Sequence, residues 1–423
     1  MALRPTPISR RPPSRTTIEF RRAARRRPLT PHVPAGAARH GRRRGDERVC
    51  PRARLGARPG GCALPGLCAA LVRRPAQDRA GRARLRGRAR AAGPVDLPKE
   101  QLSAYVEEFA DWVANDIEEF GADVIHANYW LSGVAGLLLK QRLGLPLVTT
   151  FHTLARVKAI SGDPEPERRA EAEGRVMGCA DTILANCTPE AEQLVEFYAA
   201  NSDRIEIVPP GVDHAFFSPG HQGGARFALG ADDRPLLLFV GRIQPLKGLD
   251  VAVRALAQAE RDDSRLWVVG GASGAEGSTE VERIRQLISD LGVEDRVVFR
   301  PPQPHHLLST FYRAADICLV PSRSESFGLV ALEAAACGVP VVASAVGGLL
   351  TLVDHGHTGF LVDGRDPADY AGWIDLLLGD PTLARRMSVS AAARGRTYTW
   401  STSAARLRRL YVDLAAGALT ACE

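Results

Sequence analysis

Residues 325–342 read ESFGLVALEAAACGVPVV, and they indicate the fold class more clearly than any other stretch of the chain. A Ser-Phe-Gly step begins an apolar run of helix-forming residues, and this run ends at Gly338. The β-branched residues that follow predict a buried strand. A loop, a helix and a strand in this order are typical of an α/β domain, in which parallel strands alternate with helices.

The two glutamates of this stretch predict a ligand site. Eight positions separate Glu325 from Glu333, which is about 2.2 turns of a helix. Because Glu325 lies in the loop before the first turn, both carboxylates can face one ligand. The free N–H groups of Phe327, Gly328 and Leu329 can bind a diphosphate there, and Glu333 can accept hydrogen bonds from a ribose diol. The alternative is a buried helix whose carboxylate only favours the helix dipole.

A second motif lies upstream, in residues 236–248, which read LLLFVGRIQPLKG. This sequence predicts a buried strand that runs into a glycine turn at Gly241. The turn carries Arg242 and Lys247, which can bind a pyrophosphate, and arginine suits bidentate contact with its oxygens. Two surface cations would be the alternative, but the whole chain has only four lysines, so a purely solubilising role for Lys247 is disfavoured.

Together these motifs resemble family 4 glycosyltransferases of the GT-B fold. The resemblance rests on the E-x7-E and G-R-x4-K elements, and on the segments VPPGVD at 208–213, FHT at 151–153 and ADI to VPS at 315–322. It covers roughly residues 93–415. Within the family, the chain is most similar to the branch that contains sucrose-phosphate synthases and the inositol-phosphate N-acetylglucosaminyltransferases of mycothiol synthesis.

The resemblance implies a role for each matching position. Catalysis would fall to His152, Arg242, Lys247 and Glu325, although a capping or core histidine is the alternative for His152. The implied donor-binding residues are Gly241, Arg242, Lys247, Arg300, Glu325, Phe327, Gly328, Leu329 and Glu333. The implied acceptor-binding residues are Tyr129, Thr153 and Arg169.

The function implied by the resemblance is retaining transfer of a hexosyl group. The donor would be a nucleotide-diphosphate sugar, with UDP expected, and the acceptor a small polyol, a sugar phosphate or a glycan. Arg242 and Lys247 would take the place of a metal ion, so no cofactor is expected. Two alternatives remain open: a catalytically silent nucleotide-sugar-binding remnant, and a sugar-nucleotide epimerase. An oxidoreductase or NTPase is disfavoured, since G-x-G-x-x-G and G-x4-G-K-[ST] are both absent.

The net charge of +7 is divided unevenly along the chain. Residues 1–95 hold 25 arginines against four acidic residues, a balance of +21, whereas the remainder holds 30 basic and 44 acidic residues, a balance of −14. A nucleic-acid-binding arm would usually include lysine, and a transit peptide would be rich in serine. We favour a third interpretation, in which residues 1–92 come from a coding region read in the wrong frame. Binding to nucleic acid is therefore not expected.

The chain divides into four parts on these patterns. Residues 1–92 form the Arg/Pro/Gly-rich segment, with disorder as the alternative to a frameshift. Residues 93–211 are predicted to form a partial, acceptor-side Rossmann-like domain with four strands. Residues 212–398 are predicted to form the nucleotide-sugar-binding Rossmann-like domain with six strands. Residues 399–423 are predicted to form a helix, and the resemblance implies that this helix packs back across both domains.

The eight cysteines suggest no disulfide framework or metal site. Four of them, Cys179, Cys187, Cys318 and Cys337, lie in or beside apolar runs and are predicted to be free buried thiols. No apolar stretch reaches the roughly 18 residues that span a bilayer. We therefore expect a cytoplasmic protein, and the sequence leaves peripheral membrane contact and a homodimer open.

Overall fold

A computed structural model describes residues 68–72, 99–273 and 277–422 of the chain. These residues contain two parallel-sheet α/β lobes. The first lobe is built from β1 (Cys68–Val72), α1 (Val106–Phe120), β2 (Val124–Asn128), α2 (Trp130–Leu143), β3 (Leu147–Thr150), α3 (Ala155–Ile160), α4 (Glu167–Cys179), β4 (Thr182–Ala185), α5 (Thr188–Tyr198) and β5 (Ile205–Ile207). Its strands are ordered β1-β2-β3-β4-β5.

The second lobe repeats the alternation of strands and helices. Its elements are α6 (Gln222–Leu229), β6 (Leu236–Val240), α7 (Leu249–Gln258), β7 (Arg265–Val269), α8 (Gly277–Asp290), β8 (Val297–Arg300), α9 (His305–Ala314), β9 (Ile317–Val320), α10 (Leu329–Ala336), β10 (Val341–Ser344), α11 (Leu349–Leu352), β11 (Gly359–Val362), α12 (Pro367–Gly379) and α13 (Pro381–Gly395). The six strands are parallel, in the order β11-β10-β9-β6-β7-β8.

Burial on both faces explains why these short segments form central strands. Every residue of β3, β4, β9 and β10 is buried. Parallel strands covered by helices on both sides need continuous apolar or β-branched sequence rather than alternation, and the runs at 317–320 and 341–344 have this composition. Helices must therefore cover both faces of each sheet at these strands.

A last helix, α14 (Trp400–Ala416), leaves the second lobe and packs on the first. Its apolar face contacts the buried strand residues Val124, Val148 and Leu184 through Leu407, Leu410, Tyr411 and Leu414. The crossing is close, because a Cβ on Gly211 would lie 2.1 Å from the backbone nitrogen of Trp400. The hydroxyl of Ser403 also donates to the carbonyl of Pro209, at 2.6 Å.

The structure differs from the sequence prediction in the first lobe. Four strands were predicted there, and the structure has a fifth, β1, which pairs antiparallel with β2. It falls inside the arginine-rich segment, where no periodicity marked a strand. The remaining residues of that segment, and with them the frameshift interpretation, lie outside the described part of the chain.

The prediction of a free thiol was wrong for one cysteine. Cys179, at the end of α4, forms a disulfide with Cys422. The return of α14 to the first lobe brings the two residues together across 243 positions, a pairing that local sequence cannot show. Cys187, Cys318 and Cys337 are free and buried. No helix in the described part of the chain combines the length and apolar composition needed to cross a bilayer.

Candidate active site

The two predicted donor motifs meet at the carboxyl ends of neighbouring strands. β6 pairs with β9, so the loops that follow them lie side by side. The backbone N–H of Arg323 donates to the carbonyl of Leu246 at 2.8 Å. Gly248, with a left-handed φ of 71°, approaches so closely that a Cβ would lie 1.9 Å from the carbonyl oxygen of Pro321. A side chain at this glycine would separate the two loops.

These loops bring Lys247 and Glu325 into an ion pair. The Nζ of Lys247 lies 2.6 Å from an Oε of Glu325, and both side chains are partly buried. The hydroxyl of Ser322 donates to the same carboxylate oxygen at 3.4 Å. Lys247, Glu325 and Gly241 line a cavity of about 40 Å³ together with apolar strand residues. Lys247 is therefore held in place by Glu325 at the carboxyl ends of β6 and β9.

The second glutamate of the E-x7-E element is buried under α9. One carboxylate oxygen of Glu333 accepts a hydrogen bond from the hydroxyl of Tyr312 at 2.8 Å, and the other lies 2.8 Å from Nε2 of His305. Burial and the nearby carboxylate raise the pKa of Tyr312 well above its usual value, so the phenol stays a donor. Glu333 thus has both oxygens oriented by partners that the sequence analysis did not identify.

The other residues predicted to bind the donor differ in their exposure and in their distance from the Lys247–Glu325 pair. Arg242 is exposed on the β6 loop. Phe327 is buried, and Gly328 occupies the N-cap position of α10 with a φ of 100°. The guanidinium of Arg300 stacks 4.5 Å from the ring centre of Trp267 and lines a separate cavity of about 110 Å³. The structure therefore brings Lys247 and Glu325 together but keeps the Arg300 side chain apart from them.

Two predicted residues of the first lobe have unusual backbone conformations. Tyr129 follows β2 with a φ of 76°, and His152 follows β3 with a φ of 61°. Such values cost a non-glycine residue roughly 1 kcal/mol or more and cluster at functional sites. Ala199 is the third non-glycine residue with positive φ in the described chain. Backbone strain at Tyr129 and His152 therefore supports, independently of the motifs, a functional site at the carboxyl ends of β2 and β3.

The side chain of His152 is oriented by its neighbour on β2. Its Nε2 lies 2.9 Å from the side-chain oxygen of Asn128. The ring is accessible, but the surrounding protein desolvates it and lowers the pKa of His152 below its usual value. A neutral imidazole that donates to Asn128 is therefore the form expected at pH 7.

Arg169, in α4, is fully buried close to Tyr129 and Thr153. Its Nε donates to Glu173 at 2.8 Å, NH1 pairs with Glu165 at 2.9 Å, and NH2 donates to the carbonyl and hydroxyl oxygens of Thr153 at 3.0 and 2.9 Å. The guanidinium also lies 5.2 Å from the ring centre of Tyr129. An arginine has five N–H donors, and four of these have partners among the described residues. The structure groups all three predicted acceptor residues.

Two family models match this chain. The model described as Glycosyltransferase Family 4 matches residues 14–216, and the model described as Glycosyl transferases group 1 matches residues 224–394. The chain belongs to glycosyltransferase family 4. The first match begins at residue 14, so it includes most of the arginine-rich segment. The motif-based resemblance described above covers only residues 93–415.

Curated relatives of this family 4 glycosyltransferase support the same assignment. The chain is 49% identical over 345 residues to the D-inositol 3-phosphate glycosyltransferase of Acidothermus cellulolyticus. This alignment covers 78% of this chain and 77% of that protein. The chain is 47% identical over 343 residues to the protein of the same name from Thermomonospora curvata, with 76% and 79% covered. The chain is therefore a glycosyltransferase, and the alternative of a silent remnant is not favoured.

Solved structures confirm the GT-B fold of the glycosyltransferase. The sucrose-phosphate synthase of Thermosynechococcus elongatus superposes with a TM-score of 0.72 at 33% identity, over 76% of this chain and 82% of that one. The HepE protein of Anabaena, solved with UDP-glucose, superposes with a TM-score of 0.67 at 23% identity, over 75% and 84%. At that identity the second comparison concerns the fold alone.

Proposed function

We propose that this glycosyltransferase moves a hexosyl group from a UDP-sugar to an inositol phosphate or a similar small polyol phosphate, with retention at the anomeric carbon. The observation that carries the proposal is the Lys247–Glu325 pair at the carboxyl ends of β6 and β9, which is where open α/β sheets bind ligands. Both curated relatives are named D-inositol 3-phosphate glycosyltransferase, and this supports an inositol phosphate as the acceptor.

The donor chemistry follows from where negative charge develops. When the bond between the anomeric carbon and the diphosphate breaks, the departing oxygen gains charge. The fixed cation of Lys247 stabilises that charge, and Arg242 on the same loop can add a second cation. The acceptor hydroxyl forms the new bond on the same face of the sugar, and its proton passes to the departing phosphate. A protein base is not required by this route.

The acceptor would bind among Tyr129, Thr153 and Arg169. Glu165 and Glu173 neutralise much of the charge of Arg169. The fifth guanidinium N–H, which has no partner among the described residues, would donate to a phosphate oxygen. The hydroxyl of Thr153 and the ring of Tyr129 lie beside it. We therefore propose a phosphate contact made by several single hydrogen bonds rather than a bidentate arginine clamp.

A transfer assay tests this function. The full chain is incubated with UDP-glucose or UDP-N-acetylglucosamine and D-inositol 3-phosphate, and UDP release is followed. We expect a glycoside whose proton coupling at the anomeric carbon shows the α configuration of the donor. Unphosphorylated inositol, the matched control, should react at least about tenfold more slowly, the scale of one lost charged hydrogen bond. UDP binding without any transfer would contradict the proposal and restore the silent remnant.

The same assay tests the proposed independence of metal. Because Lys247 and Arg242 supply the positive charge, excess EDTA should leave the transfer rate unchanged. A loss of activity that Mg²⁺ or Mn²⁺ restores would show that a divalent cation, and not these side chains alone, stabilises the leaving diphosphate.

A further inference from the structure

Ser326 lies between Glu325 and the start of α10. It makes two hydrogen bonds to the first lobe. Its hydroxyl donates to the backbone carbonyl of His152. Its own carbonyl accepts a hydrogen bond from the thiol of Cys187 at 3.2 Å. The partners lie 174 and 139 positions away in the sequence, so both hydrogen bonds join one lobe to the other.

On the second lobe, the backbone around Ser326 is held firmly in place. The neighbouring Glu325 is ion-paired with Lys247. From the other side, the N–H of Gly348 donates to the carbonyl of Glu325 at 2.9 Å. A Cβ on Gly347 would lie only 2.0 Å from that same carbonyl oxygen. Ser326 therefore projects from a rigid loop. Its neighbour in this loop, Glu325, belongs to the proposed diphosphate site.

On the first lobe, both partners of Ser326 occupy defined positions. His152 holds a left-handed φ two residues after the end of β3, and its carbonyl is fixed by the serine hydroxyl. Cys187 is the N-cap residue of α5 and is buried. Burial raises the pKa of Cys187 to about 11, so the thiol keeps its proton and can donate.

We propose that Ser326 is a positioning residue that latches the first lobe onto the donor loop and holds the His152 turn beside Glu325. The hydroxyl bond fixes the peptide of a strained residue, and the thiol bond fixes the start of α5. The effect on catalysis rests on the proposed sugar transfer. The latch itself is a contact between lobes and is measurable without any turnover.

The accessibility of the Cys187 thiol reports on the latch directly. Separation of the lobes breaks its hydrogen bond to Ser326 and exposes the sulfur. The full chain is treated with a small maleimide, and the modified peptides are quantified by mass spectrometry over time. Cys318 and Cys337 are buried in the second lobe and serve as internal references, because opening between the lobes does not expose them.

Four variants separate the latch from general loosening. Ser326→Ala removes the hydroxyl donor, whereas Ser326→Thr keeps it. Ser324→Ala is the matched control two positions earlier in the same loop. We expect Ser326→Ala to raise the labelling rate of Cys187 about fivefold, the scale of one lost hydrogen bond, with Cys318 unchanged. Cys187→Ser, which keeps a donor, should retain the wild-type radius of gyration in X-ray scattering.

Transfer kinetics provide the second measurement. Ser326→Ala should lower kcat about fivefold with UDP affinity within twofold of wild type, and Ser326→Thr should restore most of kcat. Equal labelling of Cys187 in Ser326→Ala and Ser324→Ala would overturn the latch, as would equal acceleration at Cys318. If wild type transfers no sugar but the labelling rates change as expected, the latch stands and the proposed function fails.

Discussion

At the scale of single residues, the site combines one fixed cation with carboxylates that are already oriented. Lys247 is held by Glu325, and Glu333 is held by Tyr312 and His305. Fixed groups stabilise developing charge without reorganising during the reaction, which is the source of most electrostatic catalysis. The residues that hold the glutamates are thus as informative as the glutamates themselves.

Replacing Lys247 by alanine should lower kcat for transfer by about two orders of magnitude, because one preorganised electrostatic contact is lost. The measurement is UDP release under saturating donor. Arg254→Ala, which removes an exposed cation from α7, is the control and should retain wild-type activity. A Lys247→Ala enzyme as fast as this control would remove Lys247 from the mechanism.

At the scale of elements, the start of α5 contains a buried carboxyl group. Glu190 accepts hydrogen bonds from the backbone N–H and the side-chain amide of Asn186, at 2.6 and 2.8 Å. Burial nevertheless dominates and raises the pKa of Glu190 from 4.5 to about 7. The folded protein therefore binds this proton more tightly than the unfolded chain does.

This pKa makes stability depend on pH. Between pH 4.5 and about 7 the native state holds more protons at Glu190, so the free energy of unfolding should fall as pH rises through this range. Glu190→Gln keeps an acceptor oxygen without the charge and should be more stable than wild type at pH 8 by up to about 3 kcal/mol, but not at pH 4. Urea unfolding at both pH values measures the difference.

Glu192→Gln is the control for this prediction, because Glu192 is exposed on the same helix. It should show the wild-type dependence on pH. If Glu190→Gln and Glu192→Gln respond identically, the carboxyl of Glu190 is charged in the native state and its burial is compensated by other groups.

At the scale of the whole molecule, the end of the chain ties the second lobe back to the first. α14 packs on the sheet of the first lobe, the N–H of Thr420 donates to Asp181 at 2.6 Å, and Cys422 is bonded to Cys179. Asp181 also pairs with the buried Lys140 at 2.8 Å. The tail therefore stabilises the first lobe from outside its own sheet.

Reduction of the Cys179–Cys422 disulfide should lower the free energy of unfolding by about 2–5 kcal/mol. The bond closes a loop of 243 positions, and opening it raises the entropy of the unfolded chain. The check is a urea unfolding curve with and without dithiothreitol. Cys179→Ser should unfold like the reduced protein and be insensitive to reductant. An unchanged midpoint on reduction would show that the packing of α14 alone holds the tail.

Local sequence patterns predicted the parallel strands, their alternation with helices and the two motifs expected to bind the donor. Periodicity, glycine positions and residue spacing are local, so each of these could be recognised within a few tens of residues, as at residues 236–248 and 325–342. Ten of the eleven strands in the described residues lie near their predicted positions. The family resemblance followed from the same short segments.

Contacts between distant residues became visible in the folded protein and not in the sequence. The antiparallel pairing of β1 with β2, the Cys179–Cys422 disulfide and the contact between Ser326 and His152 each join residues far apart in the chain. Such pairs follow no period, because they depend on how helices pack on sheets and how one lobe meets the other. Strain at His152 is likewise invisible in the sequence, since the φ of 61° is imposed by the surrounding fold.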